Sequence, residues 1–165
     1  MSKPYYFVSY SSREQHVENL LDALRLVLGQ RFEQRLTPAA LKSGESQRER
    51  ILSEIAGAGF GVVILDGLRP NVVFEYGIMV GMKKSVLLFM EESAEVDVPG
   101  FYPEGTTVPG ERTMINLNSQ FSDIADIHWT KWYRFKPEET RRVVQEEYGK
   151  MVKENKDLPD IELAR

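Results

Sequence analysis

FGVVILDGLRPNVVFEYGIMVGMKKSVLLF, residues 60–89, sets two apolar runs around a helical pattern. Phe60–Leu65 is almost continuously apolar, as expected of a central parallel strand covered on both faces. Asp66-Gly67 closes it. Either Pro70 opens the next helix at its first position or Asn71 caps it. The spacing predicts a helix to about Met82 and then a buried strand, Val86–Phe89. One residue breaks the pattern. Glu75 is a carboxylate on the same stripe as Val72 and Met79. Ionised carboxylates rarely enter a protein unless paired, and an unpaired one shifts its pKa and neutralises.

Upstream, the alternation continues. Tyr5–Tyr10 (YYFVSY) is aromatic and β-branched and reads as a buried strand that stops at Ser11-Ser12. Ser12 with Gln15, or Ser11 with Glu14, has capping-box spacing for a helix. Val17, Leu20, Leu21, Leu24, Val27 and Leu28 form one apolar stripe of that helix, which ends at Gly29. Arg31–Leu36 reads as a short strand, broken by Thr37-Pro38. Ser46 and Glu49 again have capping-box spacing, ahead of Ile51, Leu52, Ile55 and Ala56. The order β-α-β-α-β-α-β implies α/β architecture: a flavodoxin-like three-layer sandwich with a mostly parallel sheet of about five strands and helices on both faces.

Downstream, prolines 99, 103 and 109 punctuate a looser region. Met114–Leu117 is a candidate further strand. His128–Phe135 (HWTKWYRF) concentrates aromatics, and an amphipathic helix is expected from about Glu138 through Val143, Val144, Tyr148, Met151 and Val152. The expected organisation is one domain over 1–156 and a polar, loose tail over 157–165. No internal repeat is present.

Composition narrows the chemistry. The chain has 165 residues, 42% hydrophobic and 28% charged, with a net charge of −4. That suits one soluble domain with its own core. The sequence pI of about 5.3 gives no electrostatic footprint for nucleic acid. With no cysteine, disulfides, thiol nucleophiles and zinc–thiolate sites are excluded. The two histidines, His16 and His128, are far apart in sequence and supply a metal site or a Ser–His–Asp triad poorly. No metal is expected, and a carboxylate is the better candidate acid, base or nucleophile. MSKPYYFVSYSS is no signal peptide, and the apolar stretch 72–90 is interrupted too often to span a membrane. The expected location is the cytoplasm, with no membrane partner.

In a doubly wound sheet, ligands bind beyond the carboxyl ends of the strands, at a switch in strand order. The topology brings Ser9, Tyr10 and Ser11 to that edge from the first strand. Asp66, Gly67 and Arg69 come from the third, and Asn71 and Glu75 from the helix that follows. Two readings of Glu75 stand side by side. It is a residue favoured by the helix dipole, or paired with Arg69 or Lys83. Alternatively it is a carboxylate in a partly dry cleft, where burial strengthens its hold on a nearby cation. A sugar losing its base passes through such a cation.

YYFVSYSS ahead of a helix resembles the first box of Toll/interleukin-1 receptor (TIR) domains, F-[IV]-S-Y-S. Residues 66–77, DGLRPNVVFEYG, with Lys84 and the apolar strand beyond, resemble the N-V-x-[FY]-E-[LY]-G…K signature. TIR-like bacterial effector domains and nucleoside 2-deoxyribosyltransferases share that signature. The similarity spans roughly residues 5–90, and more weakly to about 135. It implies that Glu75 is the catalytic carboxylate, acting on an N-glycosidic bond as nucleophile or oxocarbenium stabiliser. It further implies that Asn71 and Asp66 shape the pocket and meet ribose hydroxyls, and that Ser9, Tyr10 and Ser11 line the nucleotide side; Arg69, brought to the same edge by the topology, is a further candidate substrate contact. The Arg-Asp-x-x-Pro-Gly loop of receptor and adaptor TIR domains is missing; Leu36–Ser46 (LTPAALKSGES) takes its place.

Three functions follow. The first is a TIR-like NAD glycohydrolase or cyclase, an effector or signal generator of bacterial anti-phage defence. It would take NAD as substrate rather than cofactor, and would act through self-assembly or a separate sensor protein. The second is a deoxyribosyltransferase-like enzyme of nucleosides or nucleotides. The third is a non-catalytic nucleotide-binding or assembly module.

Overall fold

The computed structural model describes residues 3–36, 46–97, 114–116 and 128–161. Most of the 36–46 loop, residues 98–113 and residues 117–127 lie outside them. Strands β1 (Tyr5–Ser9), β2 (Glu33–Leu36), β3 (Phe60–Ile64), β4 (Val86–Glu91) and β7 (Thr130–Trp132) form one sheet. Its order is β2-β1-β3-β4-β7, and every pairing is parallel. The short strands β5 (Glu95–Asp97) and β6 (Met114–Asn116) make a separate antiparallel ribbon. The strand expected at Met114–Leu117 therefore exists but does not extend the main sheet. The fifth strand comes instead from the aromatic segment HWTKWYRF.

Side-chain parity divides the core in two. Tyr6, Val8, Phe60, Val62, Ile64 and Phe89 pack on one face, against α1 (Glu18–Leu28) and α4 (Pro137–Glu154). Phe7, Val63, Leu65, Leu88 and Met90 pack on the other, against α2 (Gln47–Gly57) and α3 (Pro70–Gly81). The three-layer α/β sandwich read from the sequence is the one observed. No helix among the described residues is long and apolar enough to cross a membrane.

Helix starts were partly legible. Ser46 Oγ accepts the Glu49 N–H at 3.4 Å, so the cap of α2 is as expected. Pro70 occupies the first turn of α3, with Arg69 rather than Asn71 at the cap position. No capping box opens α1. A 3₁₀ turn, Gln15–Val17, precedes it, and the Glu14 N–H bonds the Ser11 backbone carbonyl at 3.1 Å. Ser11 Oγ accepts the Arg13 N–H instead, and no side chain caps the turn.

Two contacts seat α3. A Cβ on Gly61 of β3 would collide with Met79 Sδ, so the missing side chain lets the helix lie close on the sheet. Lys84 Nζ donates to the carbonyls of Ala56 and Ala58 at 2.7 Å each, closing the carboxyl end of α2. At the chain's end, Leu158 is buried and Tyr148 Oη donates to the Pro159 carbonyl at 2.6 Å. The first residues of the expected loose tail are thus tied to the α4 face.

Candidate functional site

The strand order reverses direction between β1 and β3, which makes the edge above that boundary the crevice of a flavodoxin-like sheet. Ser9 is the last residue of β1, in register with Val63. Its side chain shares the parity of Phe7 and faces α3. Glu75 comes down from the second turn of α3 on the stripe of Val72 and Met79. The two meet: Ser9 Oγ donates to Glu75 Oε2. Ser9 is 0% exposed and Glu75 2%, so this carboxylate is withdrawn from water. Burial pushes its pKa above the ordinary carboxylate value, and the Ser9 hydrogen bond pulls the other way. Among the described residues neither Arg69 nor Lys83 pairs with it.

Asp66 lies one residue beyond Leu65 and takes the opposite parity. It is 1% exposed and lies on the α1/α4 side. Its Oδ1 is 3.1 Å from His16 Nε2, and its Oδ2 accepts the Trp132 indole N–H at 3.2 Å. The Glu91 backbone N–H lies 3.3 Å from both oxygens. The His16 ring stacks on Trp132 at 5.9 Å. His16 is held above its ordinary pKa chiefly by the Asp66 hydrogen bond, burial opposing, with the charges of Asp66 and Glu14 adding and Arg134 subtracting. Asp66 therefore ties β3 to β4, β7 and the segment before α1.

The remaining expected residues are spread along the same edge. Ser11 is buried, and its Oγ accepts the Arg13 N–H at 3.4 Å. Tyr10 follows the parity of Tyr6 and Val8 and packs against the α1/α4 core, away from Ser9. Asn71 is exposed on the first turn of α3. Arg69 Nη2 lies 3.9 Å from Glu14 Oε1. Glu14 also covers Gly67, whose φ of +78° suits only glycine with ease, and a Cβ there would sit 2.6 Å from that carboxylate. The loops after β1 and β3 thus touch through Glu14. The structure joins Ser9 to Glu75 and Arg69 to Glu14, and places Asp66 and Tyr10 across the sheet. His16 and Trp132 were missed as partners of Asp66. The parity of β3, with Phe60, Val62, Ile64 and Asp66 on one face, is the signal that assigns Asp66 to their side.

These features define an open, doubly wound α/β protein with a buried carboxylate at its switch point. No protein-family model matches the chain, and no curated protein matches it. Solved structures do. The TIR domains of the activated Roq1 resistosome, which directly recognises the pathogen effector XopQ, are 12% identical with a TM-score of 0.52; the match covers 88% of this chain and 99% of that one. The CMP N-glycosidase BcmB of Clostridium botulinum is 13% identical with a TM-score of 0.46, over 85% of this chain and 97% of that one. The fold is similar to that of the TIR domains.

Proposed function

We propose that this chain is a TIR-like enzyme that breaks the bond between nicotinamide and ribose in NAD, by hydrolysis or cyclisation. Glu75 is its carboxylate. The observation that carries the proposal is a buried carboxylate at the switch point whose partner among the described residues is a single neutral hydroxyl. A charge held in this way is poorly compensated by the protein and is therefore available to a cation. As the C1′–N bond breaks, the electron pair goes to the pyridinium nitrogen and leaves neutral nicotinamide. The positive charge that develops on the ribosyl group then faces Glu75, which stabilises or captures it. Water, or another atom of the same nucleotide, completes the reaction at C1′. The FVSYS and NVVFEYG segments support this reading, and so does the fold. In the cell, the activity would serve bacterial defence as effector or signal generator, switched on by self-assembly or a sensor protein.

The test is direct. The purified chain is incubated with NAD, with and without a crowding agent, and free nicotinamide is followed beside Glu75→Gln. Release by the wild type that vanishes in the variant supports the proposal. Release that survives the substitution overturns the role of Glu75. Base exchange on a deoxynucleoside without NAD consumption overturns the substrate.

A further inference from the structure

We propose that Ser9 is a positioning residue for Glu75: its hydroxyl holds Oε2, leaves Oε1 as the one reacting oxygen, and itself touches no substrate. This deepens the NAD-cleaving reading above and rests on it for the words "reacting oxygen". The position of Ser9 speaks against the lining role that the family resemblance implies for it. The residue is 0% exposed, at the end of a strand whose register with β3 fixes its backbone.

A serine hydroxyl has one proton and can donate to one carboxylate oxygen at a time. The bond to Oε2 therefore makes the two oxygens of Glu75 unequal. Oε2 is stabilised by a charge-assisted hydrogen bond and becomes the less basic of the pair. Oε1 has no partner among the described residues. Its lone pairs are free to face C1′. The same bond favours the ionised form of a group that burial drives toward the neutral one.

Nothing else described competes for this role. The side chains of α2 and β3 on that face of the sheet, among them Ile51, Ile55, Val63 and Leu65, are apolar. On α3, Val72 and Met79 share the buried stripe, and Tyr76 is the next titratable group. No charged side chain among the described residues acts on Glu75.

The experiment compares Ser9→Thr with Ser9→Val, which add the same volume and differ by the hydroxyl alone. The full chain is labelled with ¹³C at the glutamate carboxyls, and the Glu75 resonance, assigned by its loss in Glu75→Gln, is titrated with pH. Ser9→Thr is expected to keep the wild-type midpoint. Ser9→Val is expected to raise it by about one pH unit or more, the worth of a hydrogen bond to a charged group. In the NAD assay, the acid limb of kcat/KM should move up with the midpoint while KM stays within about twofold, since kcat/KM reports the free enzyme's groups. Equal midpoints in the two folded variants overturn the inference, as does a tenfold rise in KM, which would put Ser9 in contact with substrate. A wild type that releases no nicotinamide defeats the NAD reading alone, because the titration still decides whether Ser9 controls Glu75.

Discussion

Of the three carboxylates buried at the carboxyl edge of the sheet, Asp66, Glu75 and Glu91, the first two are treated in opposite ways. Asp66, on the α1/α4 side, is met by a histidine, an indole N–H and a backbone N–H. Glu75, on the α2/α3 side, is met by one serine hydroxyl. Burial is nearly equal, 1% against 2%. The difference lies in how completely the protein itself replaces water. A buried carboxylate whose oxygens are all engaged is a joint between elements, and removing it leaves several donors stranded. One that is under-supplied costs stability and leaves electrostatic attraction unspent. Perturbed carboxylates of that kind cluster at functional sites.

The largest effect expected is on activity. Glu75→Gln keeps the shape and can still accept the Ser9 bond, but removes the charge. Nicotinamide release should fall on the order of 10²–10³-fold, the loss found when a well-placed electrostatic partner is removed. Stability should move the other way. The folded pKa of Glu75 is raised, so the folded protein holds that proton more tightly than the unfolded chain. Wild-type stability therefore falls as pH climbs from the ordinary carboxylate value through the folded pKa. Glu75→Gln should melt higher than wild type at neutral pH, and the gap should close toward pH 4. A variant that melts lower at neutral pH would make Glu75 a structural residue and end the contrast with Asp66.

Asp66→Ala should show the reverse: loss of stability with little change in activity per folded molecule. Removing one side of a buried ionic cluster costs about 3–5 kcal/mol, readable as a drop in urea midpoint. A stable Asp66→Ala protein that no longer releases nicotinamide would move Asp66 from joint to ribose contact. Trp132→Phe removes one of the donors and fills most of the same space. It should cost about 1.5–3 kcal/mol, the value of a hydrogen bond to a charged acceptor, and again spare activity. A cost below about 0.5 kcal/mol would mean that the Trp132 bond adds little to the cluster.

The sheet was legible because its strands and helices announce themselves locally. FGVVIL is apolar without a break, and the stripe from Val17 to Leu28 has one period. The fifth strand was not, since Thr130–Trp132 has three residues with a lysine in the middle and gains its place only by pairing with β4. Glu75 was legible as an anomaly, a charge on an apolar stripe. The division of labour between Glu75 and Asp66 was not, although strand parity carried it. Asp66 gathers its partners from positions 16, 91 and 132, contacts made only when β4, β7 and the segment before α1 come together. Ser11 and Ser12 misled because a backbone turn took the place of a side-chain cap.

The finest distinction between the two sites is the pH at which each speaks. His16 gains a partner in Asp66, so its folded pKa lies above the unfolded value. A raised histidine contributes stability that is complete below about pH 6.5, its unfolded pKa, and is lost as pH rises through the folded value. The groups that face it are Asp66 from β3, Glu14 from its own loop and Arg134 from the connection to α4; the first two hold the proton and the last repels it. Wild type minus His16→Gln stability should therefore be larger at pH 6 than at pH 9. The Glu75 contribution also declines with rising pH, but its window opens near the ordinary carboxylate pKa, well to the acid side. Urea unfolding across pH 4–9 of wild type, His16→Gln and Glu75→Gln separates the two. Wild type should lose stability in two windows, each variant in one. The double variant should show neither decline, because the sites lie on opposite faces of the sheet and share no partner. A single window that both substitutions abolish would mean that His16 and Glu75 titrate as one coupled unit. The two carboxylate neighbourhoods would then be halves of one site rather than a joint and a reactive group.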